Sequence, residues 1–316
     1  MRILDVSNSS ERPQHRGYGG LLENSVVTML KKHARDYGAN FVSEPEDADL
    51  FFTNDVYPAW VEKYNLPCIK RMDGVFWQKE NIERNIPLNA AAEKSDCVIF
   101  ISEFSKSQYE ELYHPLTVPN KVILNWVDTD YFYPSEEPIE VTNIIATASS
   151  WEREEKRFRF ILALARQFQD IQFILIGKPN NKYISEKNLI FTGEMKNPTE
   201  LASSLRRGKG FINLSYRDAA PKVIPEAMCC GLPVFFTLSG GTREFNPAGY
   251  AIQDPILNNF EHETPKLSLD DLFSSFQKFL DNLHLNYLYT RCTFPSYQIR
   301  KANLLENYFG VFSKYS

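Results

Sequence analysis

The stretch Asp218-Ala-Ala-Pro-Lys222-Val-Ile-Pro225-Glu226-Ala-Met-Cys-Cys-Gly231-Leu-Pro233-Val, continued by Gly240-Gly241-Thr242-Arg243-Glu244, decides the fold. An apolar run over 210–215 precedes it, so the order reads strand, acidic loop, short helix, strand, glycine turn. Pro225 fits only a first helical turn, where its missing N–H breaks no bond, and Gly231-Leu-Pro233 closes the helix after about two turns. The helix therefore opens beside Asp218. Helix N-termini and successive glycine amides bind anions, so one small pocket offers N–H groups to a phosphate and the carboxylates of Asp218 and Glu226 to hydroxyls.

Outward from this stretch the chain is ordinary in composition. Its 316 residues suffice for two domains, and 43% hydrophobic with 24% charged residues describes a soluble globular protein. The longest apolar runs have strand length, so no integral membrane segment is expected. Arg2 and Asp5 interrupt what would be the apolar part of a secretory leader, so none is expected. Five cysteines without a Cys-x-x-Cys spacing argue against a disulfide framework and a structural zinc, and point to the cytosol.

The net charge of −5 is unevenly spread. Residues 1–138 carry 14 Lys+Arg against 22 Asp+Glu, whereas 139–316 carry 21 against 18. The second half suits a small polyanion better, and neither half has the basic surface that nucleic acid demands. Acidity of the first half weighs against anionic lipid, while Lys31, Lys32, His33 and Arg35 leave peripheral membrane contact open.

From the start, a strand over 2–6 leads through Gly17-Tyr-Gly19-Gly20 to a helix carrying Val26, Met29 and Leu30 at helical spacing. Strand, glycine loop, helix is a phosphate-binding order, yet neither Gly-x-Gly-x-x-Gly nor a following Lys-Ser/Thr is present, and a tight turn explains Gly19 and Gly20 equally well. His15 beside this loop is the one histidine placed to act as a base. The five histidines are otherwise scattered, so no metal cluster is expected. Arg71-Met-Asp73-Gly74 follows the next strands; Arg71 would face a phosphate and Asp73 an acceptor hydroxyl, or the pair would be a surface turn with an ion pair. Ser102 reads as the cap of a helix over 103–113, and 135–140 as a hinge.

A second set of strand–helix units begins at 142. Lys156 and Arg153 stand before a helix with Phe160, Ile161 and Leu164 on one face, and Gly177 and Gly193 end the next two strands. Helices are expected over 269–285 and 297–312.

Two segments carry a family resemblance. Residues 218–244, and Asn125-Trp126-Val127-Asp128-Thr-Asp130-Tyr-Phe132-Tyr-Pro134, resemble retaining GT-B glycosyltransferases of the family-4 type, glycosyl transferases group 1. The resemblance implies an α/β GT-B fold of two Rossmann-like βαβ domains facing across a cleft. An acceptor domain would span 1–135 and a donor domain 136–296, with a helix over 297–316 returning to the first. Glu226 would hold the ribose of a nucleotide and Asp218 would face the donor sugar. Gly240, Gly241 and Thr242 would line the nucleotide, Gly177 and Gly193 would let backbone approach it, and Lys156 would neutralise the diphosphate. Arg71, Arg153 and Lys222 join these as substrate-binding candidates; Asp218, Lys156 and Asp73 form the catalytic set. Departures are Asp for Glu at 218, Ala219-Ala220-Pro221-Lys222 for a Gly-aromatic-Gly run, Trp126 for Gly, and no arginine near Ser150-Trp151. The implied reaction moves a sugar from a UDP- or GDP-sugar to a hydroxyl acceptor with retention, using no metal and no cofactor besides the nucleotide-sugar co-substrate, in glycan or polysaccharide synthesis. A GT-B sugar-nucleotide epimerase and a degenerate GT-B protein that binds without turnover are the alternatives.

Overall fold

Strand-sized apolar runs alternate with amphipathic helices, and the computed structural model, which describes residues 1–7, 25–136, 142–180, 186–195, 197–254, 260 and 263–316, assembles them into two parallel sheets. The first holds β1 (Arg2–Asp5), β2 (Asn40–Val42), β3 (Leu50–Thr53), β4 (Cys68–Met72), β5 (Cys97–Phe100) and β6 (Asn120–Val122), in the order β2-β1-β3-β4-β5-β6. The second holds β7 (Asn143–Ser150), β8 (Gln172–Lys178), β9 (Leu189–Gly193), β10 (Gly210–Asn213), β11 (Val234–Thr237) and β12 (Gly249–Ile252), in the order β12-β11-β10-β7-β8-β9. Every residue of β3, β5, β10 and β11 is buried, as expected of strands covered on both faces.

Helices α1 (Val26–His33), α2 (Asn85–Glu93) and α3 (Glu103–Leu112) belong to the first set of units. Ser102 caps α3 through a reciprocal box, its Oγ accepting from the Ser105 N–H at 2.9 Å while Ser105 Oγ accepts from the Ser102 N–H at 3.1 Å. The second set supplies α4 (Phe158–Gln167), α5 (Pro198–Leu205) and α6 (Val223–Cys229). Cys229 and Cys230 are packed in the core.

The expected helix over 269–285 is two helices, α7 (Leu269–Asp281) and α8 (Leu283–Cys292), which meet at Asn282. The Asn282 side-chain amide donates to the Lys278 carbonyl at 2.9 Å beside the weaker 3.3 Å bond from its own N–H, so a side chain competes for the helical acceptor where the chain turns. Buried Phe279, Leu283 and Tyr287 keep the apolar spacing through the break, which is why periodicity did not reveal it. The last helix, α9 (Phe294–Tyr315), starts three residues before its expected position, with Pro295 in its first turn.

Helix α9 packs on the first sheet. Phe309 stacks on Tyr37 with centroids 4.7 Å apart, and Phe312 meets Phe52 edge-on at 5.3 Å. Its Lys301 bonds Asp128 at 2.6 Å and Asp130 at 2.8 Å, while Lys32 of α1 takes the other oxygen of each at 2.7 and 2.6 Å. His33, Asp128 and Asp130 do form a carboxylate–imidazole group that sequence reading did not anticipate, because its members lie about ninety residues apart. Both carboxylates are satisfied by ammonium groups, so the Asp-x-Asp pair is an ion-pair clasp between α1, the 128–130 turn and α9.

Lys70 is the costly residue of the first sheet. It is fully buried on β4, donates to the Asp55 carbonyl at 2.6 Å, and burial pushes its pKa from 10.5 down to about 8. Between pH 8 and 10.5 the unfolded chain holds a proton that the folded chain has lost, so stability rises with pH across this window. Lys70→Met is expected to stabilise the protein by about 2–3 kcal/mol at pH 7, a gain that shrinks as pH approaches 10.5. Urea midpoints of both proteins at pH 7 and pH 10 check it.

Candidate active site between the two sheets

In parallel sheets the loops beyond the carboxyl ends of the strands form sites, and here those ends from both sheets converge. Gly74 after β4 and Ser102 after β5 meet the 218–219 turn after β10, which is backed by Gly240 and Gly241 after β11. A Cβ on Gly240 would stand 2.4 Å from the Asp218 carbonyl oxygen, and one on Gly241 2.0 Å from that of Ala219. Glycine is required at both because backbone lies against backbone. The Gly241 N–H donates to the Asp218 carbonyl at 3.0 Å, and Thr242 is buried in the 3-10 turn that follows (Gly241–Phe245).

Asp218 does not stand alone. Lys156, from the 3-10 turn Glu154–Lys156 beyond β7, reaches its Oδ2 at 2.9 Å and Ser215 Oγ at 3.3 Å. The Asp218 side chain keeps 27% of its surface exposed and that of Lys156 15%, so the pair remains open to a ligand. Eight residues on, Glu226 is buried in α6 with a carboxylate oxygen 3.9 Å from Lys222 Nζ. Burial pushes the Lys222 pKa down, partly offset by Glu226.

Arg71 is turned inward. Its guanidinium bonds Asp73, the Tyr308 hydroxyl at 3.2 Å and Asn125 Oδ1 at 2.8 Å, so it ties β4 to the 125 segment and to α9. Asp73 is thus held by a buried cation, with 28% of its side chain exposed. Gly177 and Gly193 face each other in the register of β8 and β9. Gly177 has φ +122° and a Cβ there would fall 1.7 Å from the Ala148 carbonyl oxygen, so close packing on β7 requires it. Gly19, Gly20 and His15 lie outside the described residues.

The two arginines near Lys156 go elsewhere. Arg153 pairs with Glu155 at 2.6 Å on the surface. Arg157 is fully buried, bound through both terminal nitrogens to Asp254 at 2.6 and 2.8 Å. Arg157 is therefore taken out of the site by a partner 97 residues away. Sequence reading missed Ser215, Tyr216 and Trp77. Ser215 supports Lys156, and Tyr216 meets Trp77 of the opposite domain edge-on at 5.2 Å. Only their place at strand ends hinted at them.

Residues 142–258 match the family described as Glycosyl transferases group 1. No curated protein matches the chain significantly by sequence. Among solved structures, the chain is similar to HepE of Anabaena in complex with UDP, with TM-score 0.72 at 14% identity over 99% of this chain and 100% of that one. It is similar to sucrose-phosphate synthase from Thermosynechococcus elongatus, with TM-score 0.65 at 17% identity over 91% and 77%. A glycosyltransferase from Rickettsia africae gives TM-score 0.60 at 14% identity over 91% and 79%. These likenesses and the two facing parallel sheets establish the GT-B fold.

Proposed function

We propose that this chain, which carries a glycosyl transferases group 1 domain over residues 142–258 in a GT-B fold, transfers a sugar from a nucleoside-diphosphate sugar to an acceptor hydroxyl with retention. The observation that carries the reading is the pairing of Lys156 with Asp218 at 2.9 Å, in the turn that leads directly to the buried Glu226. A cation, a partly exposed carboxylate and a buried carboxylate then face one ligand. Structures of the similar HepE hold UDP and UDP-glucose, which supports a UDP-type donor.

In this reading Glu226 accepts hydrogen bonds from the ribose hydroxyls and Asp218 from the sugar. As the glycosidic C–O bond breaks, negative charge grows on the departing diphosphate, and Lys156 stabilises it from a position already fixed by Ser215. Lys222 supplies the second positive charge, since Arg153 and Arg157 are engaged elsewhere. Asp73, anchored by Arg71, addresses the acceptor hydroxyl. No step is assigned to a metal or to a further cofactor. Among the described residues no helix is long and apolar enough to cross a membrane; a place in glycan or polysaccharide synthesis belongs to this reading.

Calorimetric titration of UDP, GDP and ADP into wild type and Glu226→Ala tests the donor site. One nucleotide is expected to bind, and the variant to lose ten- to hundred-fold in affinity, about 1.5–3 kcal/mol. Failure of all three to bind the folded wild type overturns the reading. The shorter Asp218 and the engagement of both arginines favour one second reading, a GT-B protein that binds a nucleotide without turnover. Affinity without product, on any donor and acceptor pair, would select it; a new sugar nucleotide formed without acceptor would select an epimerase.

A further inference from the structure

Glu244 ends the Gly-Gly-x-x-Glu run but does not face the Lys156–Asp218 pair. It crosses to the other domain, where its two carboxylate oxygens accept the backbone N–H groups of Glu103 and Phe104, each at 2.8 Å. These are the first two residues of α3, whose open N–H groups and positive end suit a carboxylate. Three further contacts cluster beside this one. Ser102 Oγ donates to the Ala219 carbonyl at 2.6 Å, a Cβ on Gly74 would stand 2.9 Å from the Ala219 Cβ, and Arg217 approaches Glu111 of α3 at 3.8 Å.

The consequence falls on Asp218. Its own carbonyl is held by the Gly241 N–H from the second domain, and the next carbonyl by Ser102 from the first. The peptide that carries the Asp218 carboxylate is thus clasped from both sides only while the domains are docked. We infer that Glu244 is a positioning residue: by docking α3 onto the 218–219 turn it fixes Asp218 for the donor sugar, a role that rests on the reaction proposed above. The nucleotide is assigned to Glu226 and Lys156, and both of these Glu244 hydrogen bonds go to α3.

The test compares wild type, Glu244→Ala and Glu244→Gln, first without ligand. Small-angle scattering should show a larger envelope for Glu244→Ala, and exchange at the Glu103 and Phe104 amides should rise roughly tenfold. Glu244→Gln, which retains one acceptor oxygen without the charge, should fall between. With the nucleotide that binds, affinity should stay within about twofold of wild type while turnover drops by about tenfold or more in Glu244→Ala. An unchanged envelope and unchanged exchange overturn the inference. So does a loss of nucleotide affinity in step with turnover, which would make Glu244 a ligand contact or a general support of the fold. If wild type binds no nucleotide, the reaction proposed above fails, and scattering and exchange still decide whether Glu244 docks the domains.

Discussion

Asp254→Ala is expected to destabilise the protein by about 3–5 kcal/mol, because it strands a buried cation. Asp254 and Arg157 have no exposed side-chain surface, and the guanidinium gives both terminal nitrogens to the carboxylate. Arg157 also donates to the Pro265 carbonyl at 2.8 Å and lies over the Tyr216 ring, with its centre 4.9 Å from the centroid. It does so from a left-handed backbone, φ +54°, a conformation that a long side chain seldom adopts unless its surroundings hold it there. Removing the carboxylate leaves a desolvated positive charge with only the Pro265 carbonyl and, at 3.5 Å, that of Leu214 as hydrogen-bond partners among the described residues. Asp254→Asn keeps an acceptor and should cost less, and Arg157→Met combined with Asp254→Leu should recover most of the loss, because no uncompensated charge remains. Urea midpoints of Arg157→Met, of Asp254→Leu and of the double variant give the coupling directly.

Lys156→Ala should lower the turnover of the proposed reaction by about 10²–10³-fold, or about 3–4 kcal/mol of barrier. The cation is preorganised: Ser215 and Asp218 hold it at 3.3 and 2.9 Å before any ligand arrives, so little reorganisation accompanies the growth of charge on the leaving phosphate. Lys156→Arg keeps the charge on a longer, planar group and should retain part of the rate. Nucleotide affinity should fall less than turnover, because charge on the bridging oxygen is greatest in the transition state. Initial rates of nucleoside diphosphate release at saturating donor, set beside calorimetric affinities, separate the two. Equal losses in rate and affinity would reduce Lys156 to a ground-state phosphate contact.

Lys156 and Arg157 are neighbours in sequence, and their different fates show what local pattern carries. The parallel strands were legible because runs such as Leu-Phe-Phe and Cys-Val-Ile-Phe are apolar throughout, and short helix α6 because proline and glycine bracket it. The Asp218-to-Glu226 spacing pointed to a shared pocket, since a turn and one short helix separate them. The break at Asn282 was not legible, because the apolar spacing runs straight through it.

Sequence alone therefore determined most of the elements and the chemical types gathered after β10, which rest on patterns within a few residues. Tertiary structure alone decided which charge meets which. Lys156 went to Asp218, Arg157 to Asp254, Asp128 and Asp130 to Lys32 and Lys301, and Glu244 to the start of α3 in the other domain. Charged side chains carry no periodic signal for their partners, and those partners lie 62 to 173 residues away, so only the packing of the two sheets against each other and against α9 could assign them.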